Sequence, residues 1–313
     1  MLILASSLGE AVPSDNFDAV IHSAFDSAVN MRLADEDRLI TALISDRYDL
    51  PQGIRITTKD APLQKLEPGR RAVCRGGILR FEPSPLSIDL RGAPIWKCRV
   101  ARLAMHMQSH SAQQAWSAAW ELLNHRQKRE NSHIIADELF RLQARSQLGQ
   151  RISQSVIQLV ASVDGFDVHR SILAAEGIIG LGPGTTPSGD DILIGFLAGL
   201  WSLSGQHPRR QSFIRSFGCG LMQISPGTNE ISQTYLDHAT QGQFSSTLST
   251  LVENIGTGRG VELAVQDAMR VGHSSGMDSV TGLLISLAVW NESALPRPIK
   301  DRRYDHRHLA HDG

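Results

Sequence analysis

The stretch from Gly177 to Trp201, GIIGLGPGTTPSGDDILIGFLAGLW, decides how this chain is read. Its first half crowds turn formers and hydroxyls together: Gly182-Pro183-Gly184, Thr185-Thr186-Pro187, Ser188-Gly189. Two carboxylates follow, Asp190 and Asp191, and then an apolar run from Ile192 to Leu203. Gly and Pro punctuate loops, and such a run after them reads as a helix buried all round. A helix start leaves its first N–H groups without intrahelical partners. One good capping residue begins to satisfy them, so a loop this rich in amides, hydroxyls and carboxylates asks for a further use.

The same grammar returns 87 residues later. SGDDILIGFLAGLW (188–201) aligns with SGMDSVTGLLISLA (275–288), and Ser188, Gly189, Asp191, Gly195, Leu197 and Leu200 fall on Ser275, Gly276, Asp278, Gly282, Leu284 and Leu287. Each segment reads Ser-Gly-x-Asp and then a helix with small residues four apart, Gly195 with Gly199 and Gly282 with Ser286. The Ser or the Gly after it suits an N-cap, which puts Asp191 and Asp278 in the first turn, where the macrodipole favours a carboxylate. Each helix glycine costs about 1 kcal/mol of propensity, a cost that close helix–helix approach would offset. The expectation is two related loop–helix units packed against each other with both loops at one end.

A glycine- and threonine-rich loop at a helix N-terminus can wrap an anion. The candidate donors are Thr185, Thr186, Ser188, the amides around Gly182, Gly184 and Gly189, and their counterparts Ser274, Ser275 and Gly276. Asp190, Asp191 and Asp278 could orient a cation, an amine or a carboxamide N–H. His273 takes the place of Thr186 in the echo and could donate to an anion or act as a general acid; loop bonding alone would also account for it. In SPGTNEIS (225–232), Thr228, Asn229 and Ser232 could complete the pocket or simply cap a helix. Cys219 lies among small apolar residues and reads as packed rather than nucleophilic. GTGRG (256–260) reads as a turn with Arg259 exposed, and no GxSxG, Walker lysine, HExxH or strand-borne GxGxxG is present.

Outward from these motifs the texture changes. Residues 54–100 break into short apolar segments between Gly, Pro and charge, the spacing of strands joined by turns, and Gly76-Gly77 suits a two-residue hairpin. Residues 17–45 fit helix or strand equally. Beyond about residue 105 the apolar spacing is helical. The reading is an α+β chain: a strand-rich part at 1–105, a larger helical anion-binding part at 106–296, and a polar, disordered tail at 297–313. The tail's His306, His308 and His311 read as solvated rather than as a metal-binding tract.

Charge and composition exclude several classes. Lys and Arg number 31 against 32 Asp and Glu, a net charge of -1, so no nucleic-acid or membrane footprint exists. Aromatics are 5% of the chain, too few for a base-stacking platform. Three scattered cysteines argue against a disulfide framework or structural zinc, and no signal-like or membrane-spanning run is read, so a cytoplasmic setting is expected. No cofactor is demanded, though Mg²⁺ would suit a nucleotide ligand.

GLGPGTTPSGDDILIGFLAG together with GHSSGMDSVTGLLISL resembles the signature pair of the AllH-like family, with weaker likeness at VIHSAFDSAVNM near the N-terminus. The resemblance implies a subunit of an oxamate carbamoyltransferase assembly of allantoin breakdown, a part of purine catabolism, with FdrA-like and AllG-like partner subunits. The implied reaction is oxalurate plus phosphate giving oxamate plus carbamoyl phosphate, so the ligand would be one of those four small anions. The chain lacks the Ser-Thr-Arg-Thr-Arg loop of ordinary transcarbamylases. Two other classes stay open on the residues alone: a small-molecule kinase or other phosphotransferase, and a scaffold subunit that binds metabolite without catalysis.

Overall fold

A computed structural model describes residues 1–290 except 37, 47, 59–62, 101, 104–105, 140–143 and 145. The expectations for the tail and its histidines therefore lie outside the described residues. The chain forms two compact units, one of Met1–Arg99 with Gln243–Thr247, the other of Val100–Gly242 with the described residues from Leu248 onward. The class is α+β, strand-rich first and mainly helical after.

The first unit holds β1 (Leu2–Leu4), β2 (Ser7–Gly9), β3 (Phe17–Ala24), β4 (Ala28–Leu33), β5 (Leu39–Ile44), β6 (Gly53–Ile56), β7 (Arg71–Arg75), β8 (Ile78–Phe81), β9 (Ser87–Asp89) and β10 (Ile95–Trp96). They form one sheet in the order β1-β9-β8-β7-β3-β4-β5-β6-β2-β10. β1 and β2 sit near opposite ends of that order, yet only Ala5 and Ser6 separate them. The Ala5 N–H bonds the Asp89 carbonyl at 2.8 Å and the Ser6 N–H bonds the Arg55 carbonyl at 2.7 Å. One segment thus pairs with both flanks, and the sheet curls to bring them together around Ile21, Met31, Ile40, Ile54, Leu79 and Phe81. Curling also removes most of the open edge at which sheets aggregate.

Residues 17–45, ambiguous in sequence, are the strands β3, β4 and β5. In β5 the first five residues are all buried, so the polar alternation that marks a half-exposed strand is missing. The Gly76-Gly77 hairpin forms as its composition dictates: Arg75 pairs with Ile78, and the two glycines have φ of 57° and 73°, the left-handed pair a tight hairpin needs.

The second unit contains α1 (His110–Arg129), α2 (Ala136–Leu139), α3 (Gln147–Asp164), α4 (Val168–Glu176), α5 (Ser188–Ser204), α6 (Pro208–Ile224), α7 (Glu230–Thr240), α8 (Ser246–Thr257, whose first two residues belong with the sheet unit), α9 (Val261–Met269) and α10 (Ser275–Val289). α5 and α10 are its centre. Every residue of α5 but Trp201, and every residue of α10 but Ser275, is buried. α6 and α7 pack on α5, and α1, α3 and α9 pack on α10. Among the described residues no helix is long and apolar enough to cross a membrane.

The small residues explain how the central pair fits. A Cβ on Gly195 would stand 1.8 Å from the Ser279 carbonyl oxygen, and one on Gly282 would stand 1.9 Å from the Ile192 carbonyl oxygen. Ile192 and Ser279 are themselves equivalent in the echo, so the contact is made twice with the partners exchanged. Further along, a Cβ on Gly199 would lie 1.9 Å from Oγ of Ser286, its own equivalent. The helices therefore run side by side in the same direction about an approximate two-fold axis. Their positive N-terminal ends coincide, which concentrates at one end a potential that carboxylates relieve.

Candidate functional site

At that common end the echo crosses over. The Ser275 hydroxyl of α10 favours the ionised form of Asp191 on α5, and the Ser188 hydroxyl of α5 favours the ionised form of Asp278 on α10. Thr186 Oγ1 and Ser275 Oγ are 2.7 Å apart, which ties the first loop to the second helix. Each serine of the Ser-Gly-x-Asp pair thus serves the other unit's aspartate. This corrects the capping expectation. Ser188 and Ser275 are the first helical residues, Pro187 and Ser274 stand at the caps, and neither cap makes a side-chain hydrogen bond. Backbone carbonyls take orphan amides instead: Gly189 donates to Leu181 at 2.8 Å and Asp190 to Pro187 at 3.0 Å. On the α10 side Gly276 donates to Val271 at 2.9 Å.

Asp191 and Asp278 keep 5% and 3% of their surface, and in each the Oδ2 atom is buried with no hydrogen-bond partner. Burial pushes the Asp191 carboxyl well above the usual carboxylate range, and the neighbouring Asp278 and Asp190 push the same way against Ser275 and Thr186. Burial raises Asp278 to about 7, against the pull of Ser188 and Ser274. Two like charges cannot both persist in so small a dry space, so the pair holds a proton near neutral pH. The neighbouring carboxylates add to the rise at Asp191 alone. Each carboxyl keeps one oxygen uncommitted.

Asp190 has a different part. Its Oδ1 accepts the Gly180 N–H at 2.7 Å and its Oδ2 accepts the Thr228 hydroxyl, with burial raising its pKa against both bonds. Asn229 caps α7 by accepting the Ser232 N–H at 3.1 Å and donates from Nδ2 to the Thr185 carbonyl at 3.0 Å. Through these bonds the SPGTNEIS turn is stitched to the glycine-rich loop.

Residues 178–287 match the family model described as oxamate carbamoyltransferase subunit AllH, and residues 3–95 match the model of the AllH family N-terminal domain. The chain belongs to the AllH family. The first match spans both loop–helix units and the second most of the sheet. No solved structure matches the chain. The family name denotes one subunit of a carbamoyltransferase, which implies further subunits.

In this AllH-family chain the residues singled out from sequence divide three ways. Asp191, Asp278, Thr186, Ser188, Ser274 and Ser275 gather at the helix ends. Pro183, Gly184, Thr185, Gly272 and His273 are exposed beside them. Gly184 has φ of +97° and open space around it, whereas Gly182, at φ +122°, is pressed against the Ser188 backbone nitrogen. Gly189 and Gly276 are spent on structure: their N–H groups are bonded, and a Cβ on either would strike the Ile178 or Ala268 carbonyl oxygen at 2.0 or 2.3 Å. The expected anion cradle of helix amides is therefore largely filled by the protein's own carbonyls. Cys219, expected to be packed, is exposed on α6. Leu181 and Gly180, which close the loop, carried no sequence signal beyond their place between glycines.

Proposed function

We propose that this chain is the AllH-type subunit of an oxamate carbamoyltransferase working in the cytoplasm with FdrA-like and AllG-like partners, and that its substrate is held at the Asp191–Asp278 pair. The reaction is reversible transfer of a carbamoyl group between oxamate and phosphate, as in oxalurate plus phosphate to oxamate plus carbamoyl phosphate. What carries the reading is the pair of buried, uncommitted carboxyl oxygens at the junction of the two units. In the direction of oxalurate synthesis the oxamate nitrogen attacks the carbamoyl carbon, the nitrogen gives up a proton and phosphate leaves. The Asp278 carboxylate takes that proton, and the Asp191 O–H holds the carbonyl oxygen of the same oxamate amide so that its nitrogen faces the carbamoyl carbon. Thr186 and Ser274 hold the carboxyls, while the Thr185 hydroxyl, the Gly184 amide and His273 supply donors for the anionic end. These replace the first-turn amides of Gly189 and Gly276, which serve to position the helices, as Asp190 and Asn229 position the loops.

Co-expression with the two candidate partners tests the reading. The expected result is a stoichiometric complex that consumes carbamoyl phosphate only when oxamate and all three chains are present. A pair of partners fully active without this chain would contradict it.

A further inference from the structure

The uncommitted oxygens define a chemical edge. Oδ2 of Asp191 and Oδ2 of Asp278 are both buried and unpartnered, on equivalent positions of two helices that share one end. A cation would neutralise them, but it would sit against the positive ends of two parallel helices. Among the described residues no third His, Cys, Asp or Glu joins the pair. A single shared proton leaves the pair as one donor beside one acceptor. Resting on the function proposed above, we infer that the Asp191–Asp278 pair recognises the amide edge of a primary carboxamide or carbamoyl group, its amino N–H and its carbonyl oxygen together.

The fit is one of complementary hydrogen bonds. The Asp278 carboxylate accepts the N–H, and the Asp191 carboxylic acid donates to the carbonyl oxygen of the same planar group. Oxamate, oxalurate and carbamoyl phosphate all carry this edge; phosphate and oxalate do not. Oxalate has nearly the shape of oxamate but presents two anionic oxygens, one of which would face the Asp278 carboxylate. A site that hydrogen-bonds an N–H rejects the analogue that lacks it far more strongly than a merely apolar site would. The two hydroxyl clusters support the assignment: Ser275 and Thr186 surround one aspartate, Ser188 and Ser274 the other, and they hold the carboxyls in place while leaving one oxygen of each without a protein partner.

Calorimetric titration of the full chain, alone and in the assembled complex, with oxamate and with oxalate is the test, repeated on Asp278→Asn after its melting curve shows a folded protein. Expected is oxamate binding with oxalate at least 100-fold weaker, and in Asp278→Asn, whose amide can donate where the carboxylate only accepts, a gain in oxalate affinity that shrinks the ratio below about 5-fold. Equal affinity for the two ligands, binding of neither, or an unchanged ratio in the variant would overturn the inference. An active complex with no amide preference removes this inference alone, whereas a complex that needs no copy of this chain removes the functional reading beneath it.

Discussion

The two loop–helix units share a grammar and differ in what surrounds their aspartates. On the α5 side a second carboxylate, Asp190, is bonded to Gly180 and Thr228 and ties two loops to the helix. The equivalent position on the α10 side is Met277, buried and close to the Ser132 hydroxyl. Thr186 in the first loop bonds across to Ser275, whereas its counterpart His273 is exposed. One unit is stitched and the other is open. The difference also separates the two acids: Asp191 has two carboxyl neighbours that raise it, and Asp278 is raised by burial alone. In the proposed reaction a near-symmetric scaffold thus supplies an acid and a base from the same residue type, because their surroundings differ.

The comparison breaks most completely at the helix contact. Gly195→Ala and Gly282→Ala each drive a methyl into a facing carbonyl, and the exchange of partners predicts equal damage from either. Each should cost more than the ~1–3 kcal/mol of ordinary overpacking. Urea unfolding of both variants checks this, and a large effect from one with none from the other would refute the two-fold relation.

Next comes pH. Asp278 has a folded pKa of about 7 against an ordinary value of 3.8, and Asp191 and Asp190 are shifted in the same direction. The folded state therefore binds more protons than the unfolded one between those limits. Stability is fully present below about pH 4, falls as pH rises toward 7, and levels off above the folded pKa. Melting temperature should be lower at pH 8 than at pH 5.5, and Asp278→Asn should flatten that slope. A profile that rises over this interval would contradict the assignment.

Smaller effects sharpen the stitched side. Thr228→Val leaves an oxygen of buried Asp190 without its donor and should cost roughly 1–3 kcal/mol. His273→Ala, on the open side, should change stability by less than about 0.5 kcal/mol, so any loss of turnover in that variant reports on the reaction.

The sequence made the paired helices legible because their contact is written in local residue types: glycines four apart are expensive in a helix and need a close neighbour. The short strands after residue 54 and the Gly76-Gly77 turn were legible for the same kind of reason. What stayed hidden was decided by partners distant in the chain. β5 loses its alternation because neighbours cover both faces. The first-turn amides of Gly189 and Gly276 went to the Leu181 and Val271 carbonyls that loop folding brings in, and the serines expected as caps serve the opposite aspartate. Asp190 looked like its neighbour Asp191 until Gly180 and Thr228 were found on it.

The central claim is that the crossed pair of aspartates is where the reaction happens, and the rate of carbamoyl transfer by the assembled complex carrying Asp191→Asn tests it most directly. With folding and assembly intact, the account predicts a fall of at least about 100-fold, the scale of lost positioning and proton-transfer assistance. Wild-type turnover from that complex would contradict it and leave the chain a scaffold.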